Sequence, residues 1–313
     1  MIKFLKTMRN KTQEEIIQKI QDLKKKRKAV ILAHNYQIPE VQDIADFTGD
    51  SLELSKKAHN TEAKVIVFCG VSFMAETASV LSPDKKVIIP DNRAGCTLAD
   101  MITVDKLKAL KSKHPDAVVI SYVNTTAEVK AESDICCTSS NSVQVVNSIP
   151  KNKEIIFVPD KNLCKFTHDQ TGRKLICWQG WCSTPHINIS AEDIKKSKQD
   201  HPDAKVMVHP ECNPEVVNLA DEVVSTSGML RFAKESKADE FIIGTEIGIL
   251  HSLKKANPEK KFYPANDKAI CPTMKLITLK KVHRALKDLI YVVKVEESIR
   301  EKAKKAIDRM LAL

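Results

Sequence analysis

The sequence predicts an α/β protein of three pseudo-symmetric repeats, each a small parallel sheet flanked by helices as a three-layer αβα unit, around one central site. Three observations predict it. First, a unit of about ninety residues recurs, with openings that read VILAHNYQIPEVQDIADFTGDS at 30–51, VVISYVNTTAEVKAESDICCTSS from Val118 and VMVHPECNPEVVNLADEVVSTS from Val206. Second, apolar strand-like runs alternate with helix-like ones inside each copy, the pattern of a parallel sheet. Third, a cysteine closes every copy: Cys96 lies 62 residues after His34, Cys182 60 after Tyr122 and Cys271 62 after His209. Equivalent cysteines in equivalent units imply one shared site on a pseudo-threefold axis.

Taken in order, residues 1–27 read as a polar amphipathic helix with Ile16, Ile17, Ile20 and Leu23 on one stripe. Residues 28–34 form a continuously apolar strand, as expected of a strand buried on both faces. Strands at 64–70 and 86–91 follow, with a helix over 72–81 between them and another over 103–114 leading into the second copy. That copy carries strands at 117–123, 154–160 and 174–180, and the polar stretch CKFTHDQTGRK reads as a loop that makes it the least regular. A Ser-x-x-Asp start marks a linking helix over 189–202. The third copy has strands KVMVHP, EFIIGTE and KFYPAN with IGILHSLKKANP as the helix before the last. Residues 278–313 read as one long amphipathic helical region that packs across another domain. The copies divide the chain into 1–112, 113–200 and 201–313, the first with the N-terminal helix and the last with the C-terminal one.

Composition narrows the class. The chain has 313 residues, no apolar run of membrane-span length and no signal-peptide core at its start, so a cytoplasmic protein is expected. Nine cysteines are then thiols or metal ligands rather than a disulfide framework. The net charge of +10 raises nucleic acid as a partner, but the lysines sit in helical segments such as QKIQDLKKKRK, the face that solvent covers. No basic stretch interleaves with stacking aromatics. A mild positive field instead helps to gather small anions.

Each first strand ends in polar side chains: His34 and Tyr36, Tyr122 and Asn124, His209 and Glu211. A hydroxyl residue follows the first of each pair by 17 positions, at Ser51, Ser139 and Thr226. Ligands of parallel α/β units sit beyond the strands' carboxyl ends, where helices begin and free N–H groups bind carboxylate or phosphate oxygens. One such serine is ordinarily a helix cap; three at one spacing point to anion binding. Cys69, Cys137, Cys164 and Cys177 read as small core residues, and Cys212 lies beside the proposed site. Cys96, Cys182 and Cys271 follow equivalent strands and should converge. No two have CxxC spacing, and thiolates select zinc or iron–sulfur clusters, so the residues alone leave iron and zinc both open. Two rival functions fit the cysteines. One is a zinc hydrolase using three thiolates and water. The other is a non-enzymatic iron–sulfur sensor or redox module, which needs a partner surface or a nucleic-acid-binding element absent from the sequence pattern.

Beyond the repeat, the motifs AHNYQIPEVQDIADFTGDSLEL, FCGVSFMAETASVLSPDKKV, PDNRAGCTLADM, SYVNTTAEVKAESD, TSSNSV, HPEC, STSGM, IGTEIGIL and CPTMKLITL make the chain resemble the quinolinate synthase (quinolinate synthetase A) family over nearly its whole length. The resemblance implies three similar α/β domains around a central 4Fe–4S cluster, one per chain, held by Cys96, Cys182 and Cys271 with one iron left open as a Lewis acid. It implies a transferase of NAD biosynthesis that condenses iminoaspartate with dihydroxyacetone phosphate to quinolinate, phosphate and water. Substrate contacts carried over by position are His34, Ser51, Tyr122, Asn124, Ser139, His209, Glu211 and Thr226, with backbone at Val123 and Pro210. The chemistry then falls to Glu211 as general base, because it is the only carboxylate among the strand-end pairs. Tyr36 and Tyr122 would relay protons, and His34 and His209 would hold phosphate or carboxylate. Neither nucleic acid nor membrane is expected as a partner. A closed three-domain chain completes its site alone, which favours a monomer, functionally coupled to an aspartate oxidase or dehydrogenase that supplies iminoaspartate. Two departures stand out. The family's His three residues after its second cysteine is here His186, four after Cys182, and its Pro-Asn-Met after the third is here CPTM with Thr273. Cys177, the one thiol that could replace Cys182, falls inside a strand.

Overall fold

The computed structural model describes residues 2–313. Its strands form three sheets. The first contains β1 (Ala29–His34), β2 (Phe47–Gly49), β3 (Val65–Cys69) and β4 (Lys86–Ile88). The second contains β5 (Val118–Tyr122), β6 (Ile135–Cys137), β7 (Ile155–Val158) and β8 (Ile176–Cys177). The third contains β9 (Lys205–Val208), β10 (Glu222–Val223), β11 (Glu240–Gly244) and β12 (Lys261–Pro264). The orders are β2-β1-β3-β4, β6-β5-β7-β8 and β10-β9-β11-β12, one topology three times, and every pairing within a sheet is parallel. The expected α/β class and its three repeated αβα units are therefore present.

Helix α1 (Ile2–Arg27) leads into the first unit, whose strands alternate with α2 (Pro39–Ile44), α3 (Ser51–Asn60) and α4 (Ser72–Leu81). Helix α5 (Val104–Lys113) leads into the second, with α6 (Ala127–Ala131), α7 (Ser142–Ser148) and α8 (Lys161–Thr171). Helix α9 (Ala191–Asp200) leads into the third, with α10 (Pro214–Val217), α11 (Thr226–Glu235) and α12 (Ile249–Ala256), and α13 (Leu279–Asp288) and α14 (Glu297–Leu311) close the chain.

Three elements differ from the sequence expectation. The stretch read as a loop, CKFTHDQTGRK, is most of α8. Asp160 caps its start by accepting from Leu163 N at 2.7 Å, and Gly172 ends it at φ 65, a conformation that favours glycine. Its polar face hid the apolar stripe of Leu163, Cys164 and Phe166 that packs inward. The single C-terminal helix is two, broken where Leu289 and Tyr291 take positive φ. The expected packing across another unit is found: α13 lies on α1 and β3, and α14 on α6, β6 and α4. The third difference is the edge strands β2, β6 and β10, two or three residues long and too short to show a period.

One side chain holds each of those edges. Asp46, Asp134 and Asp221 precede β2, β6 and β10, and their carboxylates accept from Ile31 N, Val119 N and Val206 N, each at 2.8 Å. Their own backbone N–H groups donate to the carbonyls of the same three residues. Each aspartate so closes both ends of one residue of the central strand and sets where the edge strand must lie.

Central strands are buried on both faces, as their continuous apolar runs require: Ile31, Leu32, Ile66, Val67, Ile120 and Phe157 are inaccessible to solvent or nearly so. The first and second units share one apolar core, which Ala303, Ala306, Ile307 and Met310 of α14 help to fill. The third sheet has separate apolar layers on its two faces. Its links to the other units include the buried hydrogen bonds Asn35 to Thr226, Gln42 to the Gly248 carbonyl and Tyr122 to Glu211.

Among the described residues Asp134 has no lysine partner at its carboxylate, unlike Asp46 and Asp221, so it isolates the clamp. Asp134→Ala is expected to lower the free energy of unfolding by about 1.5–3 kcal/mol, the worth of a hydrogen bond to a charged group. Urea denaturation measures this, and a change inside experimental error would show that the clamp is dispensable.

Candidate active site

The three units turn the carboxyl ends of their central strands towards one cavity, open to solvent on one side, with about 810 Å³ of empty volume counted out into its mouth. Hydroxyls, helix starts and the three cysteines all line its wall.

Ser51, Ser139 and Thr226 all reach that wall, and none is a helix cap. Asp50 caps α3, accepting from Leu52 N and Glu53 N at 3.0 Å, which leaves Ser51 in the first turn with its hydroxyl uncommitted to the cap. Ser225 caps α11 in the same way and frees Thr226. Thr226 Oγ1 accepts from Asn35 Nδ2 at 2.9 Å, so its own proton can point into the cavity. Ser140 donates to Asp50 Oδ2 at 2.6 Å and lies 2.7 Å from Ser225 Oγ, one residue from each unit in a single knot. Among the described residues neither lysine nor arginine lines the cavity. An anion there would be held by neutral N–H and O–H donors, beside the Asp50 carboxylate.

His34 and His209 occupy the same place in their units, and each accepts an equivalent hydrogen bond. The backbone N–H two residues on, of Tyr36 and Glu211, donates to Nδ1 at 3.2 and 3.3 Å. Nδ1 is then an acceptor, so each neutral ring carries its proton on Nε2. Burial holds His34 down to about 4 and His209 to about 3 against an ordinary 6.5, so both are uncharged near neutrality. His209 Nε2 lies 3.2 Å from Ser139 Oγ.

Glu211 is the centre of the polar network. Tyr122 donates its hydroxyl to Oε1 at 2.5 Å, Asn124 Nδ2 adds a longer contact at 3.4 Å, and His186 Nδ1 lies 2.7 Å from Oε2. Burial by itself would push this carboxyl up. His186, His209 and the Tyr122 hydroxyl outweigh it and hold Glu211 below the usual carboxylate range, hence ionised. Burial and the Glu211 charge push Tyr122 up, so its proton stays. From His186 the network runs on to Thr245 Oγ1 at 2.9 Å and to the Tyr36 hydroxyl at 3.3 Å, itself 2.5 Å from Thr245.

Cys96, Cys182 and Cys271 are free, half-buried and on the cavity wall. Burial raises all three thiols, Cys96 to about 12, and neighbouring charges add to the rise: Glu211 and Cys271 at Cys96, Glu211 and Cys96 at Cys182. Two buried carboxylates hold their loops. Glu246 accepts from Cys271 N at 3.1 Å and from Gly248 N at 2.7 Å, with Lys275 Nζ 2.8 Å away. The Cys182 N–H likewise faces Asp160, which burial and the Glu211 charge push well above the usual range. Gly180 lets this loop close: a Cβ there would lie 2.4 Å from the Pro159 carbonyl oxygen.

Sequence reasoning placed almost all its candidates on this wall. Val123 and Pro210 are the exceptions: neither lines the cavity, and Val123 N is already bonded to the Cys137 carbonyl at 2.9 Å. Cys164 and Cys177, read as two separate core thiols, form a disulfide, because α8 packs against β8 with their Cα atoms 5.8 Å apart. Cys177 is therefore no substitute for Cys182. His186 was noted only as a displaced residue, yet it is buried, with Nδ1 2.7 Å from Glu211 Oε2, and stacked on His209 at 4.6 Å. The signal was in the repeat: the fourth residue after each cysteine is polar, as Asp100, His186 and Lys275. Asp160 and Glu246 stand just past the second main strands of two units, where the first unit has Val71.

Comparison with known proteins agrees with this geometry. The family described as quinolinate synthetase A protein matches residues 18–312. A quinolinate synthase of Desulforudis audaxviator (strain MP104C) is 56% identical over 300 residues, covering 96% of this chain and 99% of the relative. One of Methanosarcina barkeri (strain Fusaro / DSM 804) is 54% identical, covering 96% and 98%. One of Thermodesulfovibrio yellowstonii is 55% identical, covering 98% and 99%. No described helix is long and apolar enough to cross a membrane.

The buried histidines make stability depend on pH. His34 and His209 titrate near 4 and 3 in the fold and at 6.5 when unfolded, so the unfolded chain takes up protons first as pH falls. Their contribution is whole above about 6.5 and declines below it, by up to about 1.4 kcal/mol per pH unit for each ring. Glu211, lowered in the fold, adds stability that is whole above about 4.5 and lost on further acidification. Urea midpoints of the metal-free protein should fall between about pH 7 and 5, and less steeply in His209→Gln. Midpoints that stay level across that range would show that the rings are not held neutral.

Proposed function

The chain belongs to the quinolinate synthetase A protein family, and from that premise we propose that it is a quinolinate synthase, a transferase that condenses iminoaspartate with dihydroxyacetone phosphate to quinolinate, phosphate and water. One observation carries the reading: the three repeat-equivalent cysteines and the three repeat-equivalent polar strand ends open onto the same cavity.

The donor set fits a 4Fe–4S cluster better than a lone zinc. One zinc ion with bonds of about 2.3 Å needs its sulfurs in a tight group. Among the described residues the only tight group of three ligand atoms is Cys182, His186 and Glu211, whereas the three cysteines are spread around the wall. A cluster binds each thiolate on a different iron, which suits that spread. Cys96, Cys182 and Cys271 would hold it and would shed their raised protons in doing so. When bound, it supplies a Lewis acid next to the substrate.

The protein's own groups do the rest. Ser51, Ser139, Thr226 and the Nε2–H groups of His34 and His209 donate to phosphate or carboxylate oxygens, helped by the first turns of α3 and α11. Among the described residues the wall carries no lysine or arginine, so that hold is neutral, which eases release of product phosphate. Asn124, whose Oδ1 has no partner, can orient a substrate donor. Glu211 serves as base, but its lowered pKa makes it a weak one until Tyr122 or His186 loosens its contact. Tyr122 returns the proton, and Tyr36 acts through Thr245 and His186. The same reading makes the enzyme a cytoplasmic monomer supplied with iminoaspartate by an aspartate oxidase or dehydrogenase.

Anaerobic purification with iron and sulfide analysis tests the reading. Brown protein with about four irons and four sulfides per chain, forming quinolinate from the two substrates, is expected. Cys96→Ser should lose the colour, and Glu211→Gln should keep it while turnover falls by about 10²–10⁴-fold. Colourless wild-type protein with stoichiometric zinc would overturn the cluster. Full turnover in Glu211→Gln would remove Glu211 from the base role.

A further inference from the structure

Among the described residues the tightest donor set is not the cysteine triad. Cys182, His186 and Glu211 bring one sulfur, one imidazole nitrogen and one carboxylate oxygen within 4.8 Å of one another. The short Cys-Ser-Thr-Pro-His turn fixes the first two, and the residues after β9 bring the third from the neighbouring unit. Two of the three already have the outer contacts that metal ligands use. With Nδ1 turned to Glu211, His186 keeps Nε2 on Thr245 Oγ1 at 2.9 Å, and Glu211 keeps its other oxygen on the Tyr122 hydroxyl at 2.5 Å. Only small moves are needed. The 2.7 Å between His186 Nδ1 and Glu211 Oε2 must open by about half an ångström for both to bind one ion. The Cys182 thiol must leave the Thr184 carbonyl, 2.9 Å away.

We propose that the cluster-free protein binds a single divalent transition-metal ion, zinc above all, through Cys182, His186 and Glu211, with its fourth position facing the cavity, and that this ion blocks cluster assembly by holding the Cys182 sulfur. The donor chemistry selects the ion. One sulfur, one nitrogen and one oxygen in a tetrahedral arrangement suit zinc, iron(II) binds such sets more weakly, and magnesium and calcium require oxygen. The blocking half rests on the proposed function; the ion site rests on the three side chains alone.

Cobalt(II) is the probe, because its visible spectrum reports both tetrahedral geometry and a bond to sulfur. Titrated anaerobically into the full-length apoprotein, it should bind once per chain with a sulfur charge-transfer band and be displaced by zinc. Cys182→Ser, His186→Ala and Glu211→Gln should each weaken binding by at least about tenfold, whereas Cys96→Ser and Cys271→Ser should bind as the wild type does. Thermal melts identify any variant that fails to fold, and the variants of the other two cysteines decide the matter regardless. Unchanged cobalt binding in folded Cys182→Ser or His186→Ala, or its loss in Cys96→Ser and Cys271→Ser, overturns the site. Zinc-loaded protein should then take up little iron and sulfide. Full cluster assembly with zinc retained overturns the blocking half. A zinc-free wild type that assembles no cluster counts against the proposed function, and the cobalt spectra still judge the ion site.

Discussion

The charge on Glu211 is the constraint around which the site is arranged. An unpaired carboxylate at such depth would cost several kcal/mol or give up its charge. It keeps the charge chiefly because His186 and Tyr122 of the second unit face it, with His209 of its own third unit adding to the hold. The third sheet has its own apolar layers, whereas the other two units share a core. Burial of Glu211 therefore depends on how the third unit docks, and docking is read out at a group on the cavity wall. The effect reaches further, because the Glu211 charge helps to keep Asp160 neutral and Tyr122 protonated.

A threefold scaffold makes that docking possible. The same aspartate clamp at Asp46, Asp134 and Asp221 fixes the edge strand in every unit. With the edge fixed, the residues that follow it reach the cavity: α3 and α11 begin at Ser51 and Thr226, and in the second unit Ser139 stands three residues before α7. Capping by Asp50 and Ser225 satisfies the backbone there and releases Ser51 and Thr226 for the cavity. The regular part of the fold thus accounts for why hydroxyls recur at one spacing.

What the sequence showed and what it hid follow from the same division. Features repeated in all three copies were legible: the alternation of strand and helix, the polar strand ends, the hydroxyls and the closing cysteines. Each was readable because three weak local signals at one spacing reinforce one another. The edge strands escaped because two or three residues carry no period, although their aspartates recur at the same 15-residue separation from the strand they clamp. Helix α8 escaped because its polar residues outnumber the stripe that packs. His186, Asp160 and Glu246 escaped for a different reason. They lie off the first strands, in one or two copies only, and their importance comes from contacts between units that no one-dimensional spacing records.

Those departures from symmetry are where the chemistry has room to be specific. Three identical units would present the same pair of groups to all sides of the cavity, whereas the reactants of a condensation differ end to end. Here one unit offers a neutral histidine and a tyrosine, the next a tyrosine and an amide, and the third a neutral histidine and an ionised carboxylate. The cysteine loops diverge as well. Asp160 braces the second, the Glu246–Lys275 pair braces the third, and Val71 leaves the first without a carboxylate. His186 sharpens the difference, because it ties the Cys182 loop to Glu211 and gives one cysteine of the three a donor set of its own. The repeat supplies three equivalent thiols, and the residues that break the repeat decide that they are not equivalent in what they touch.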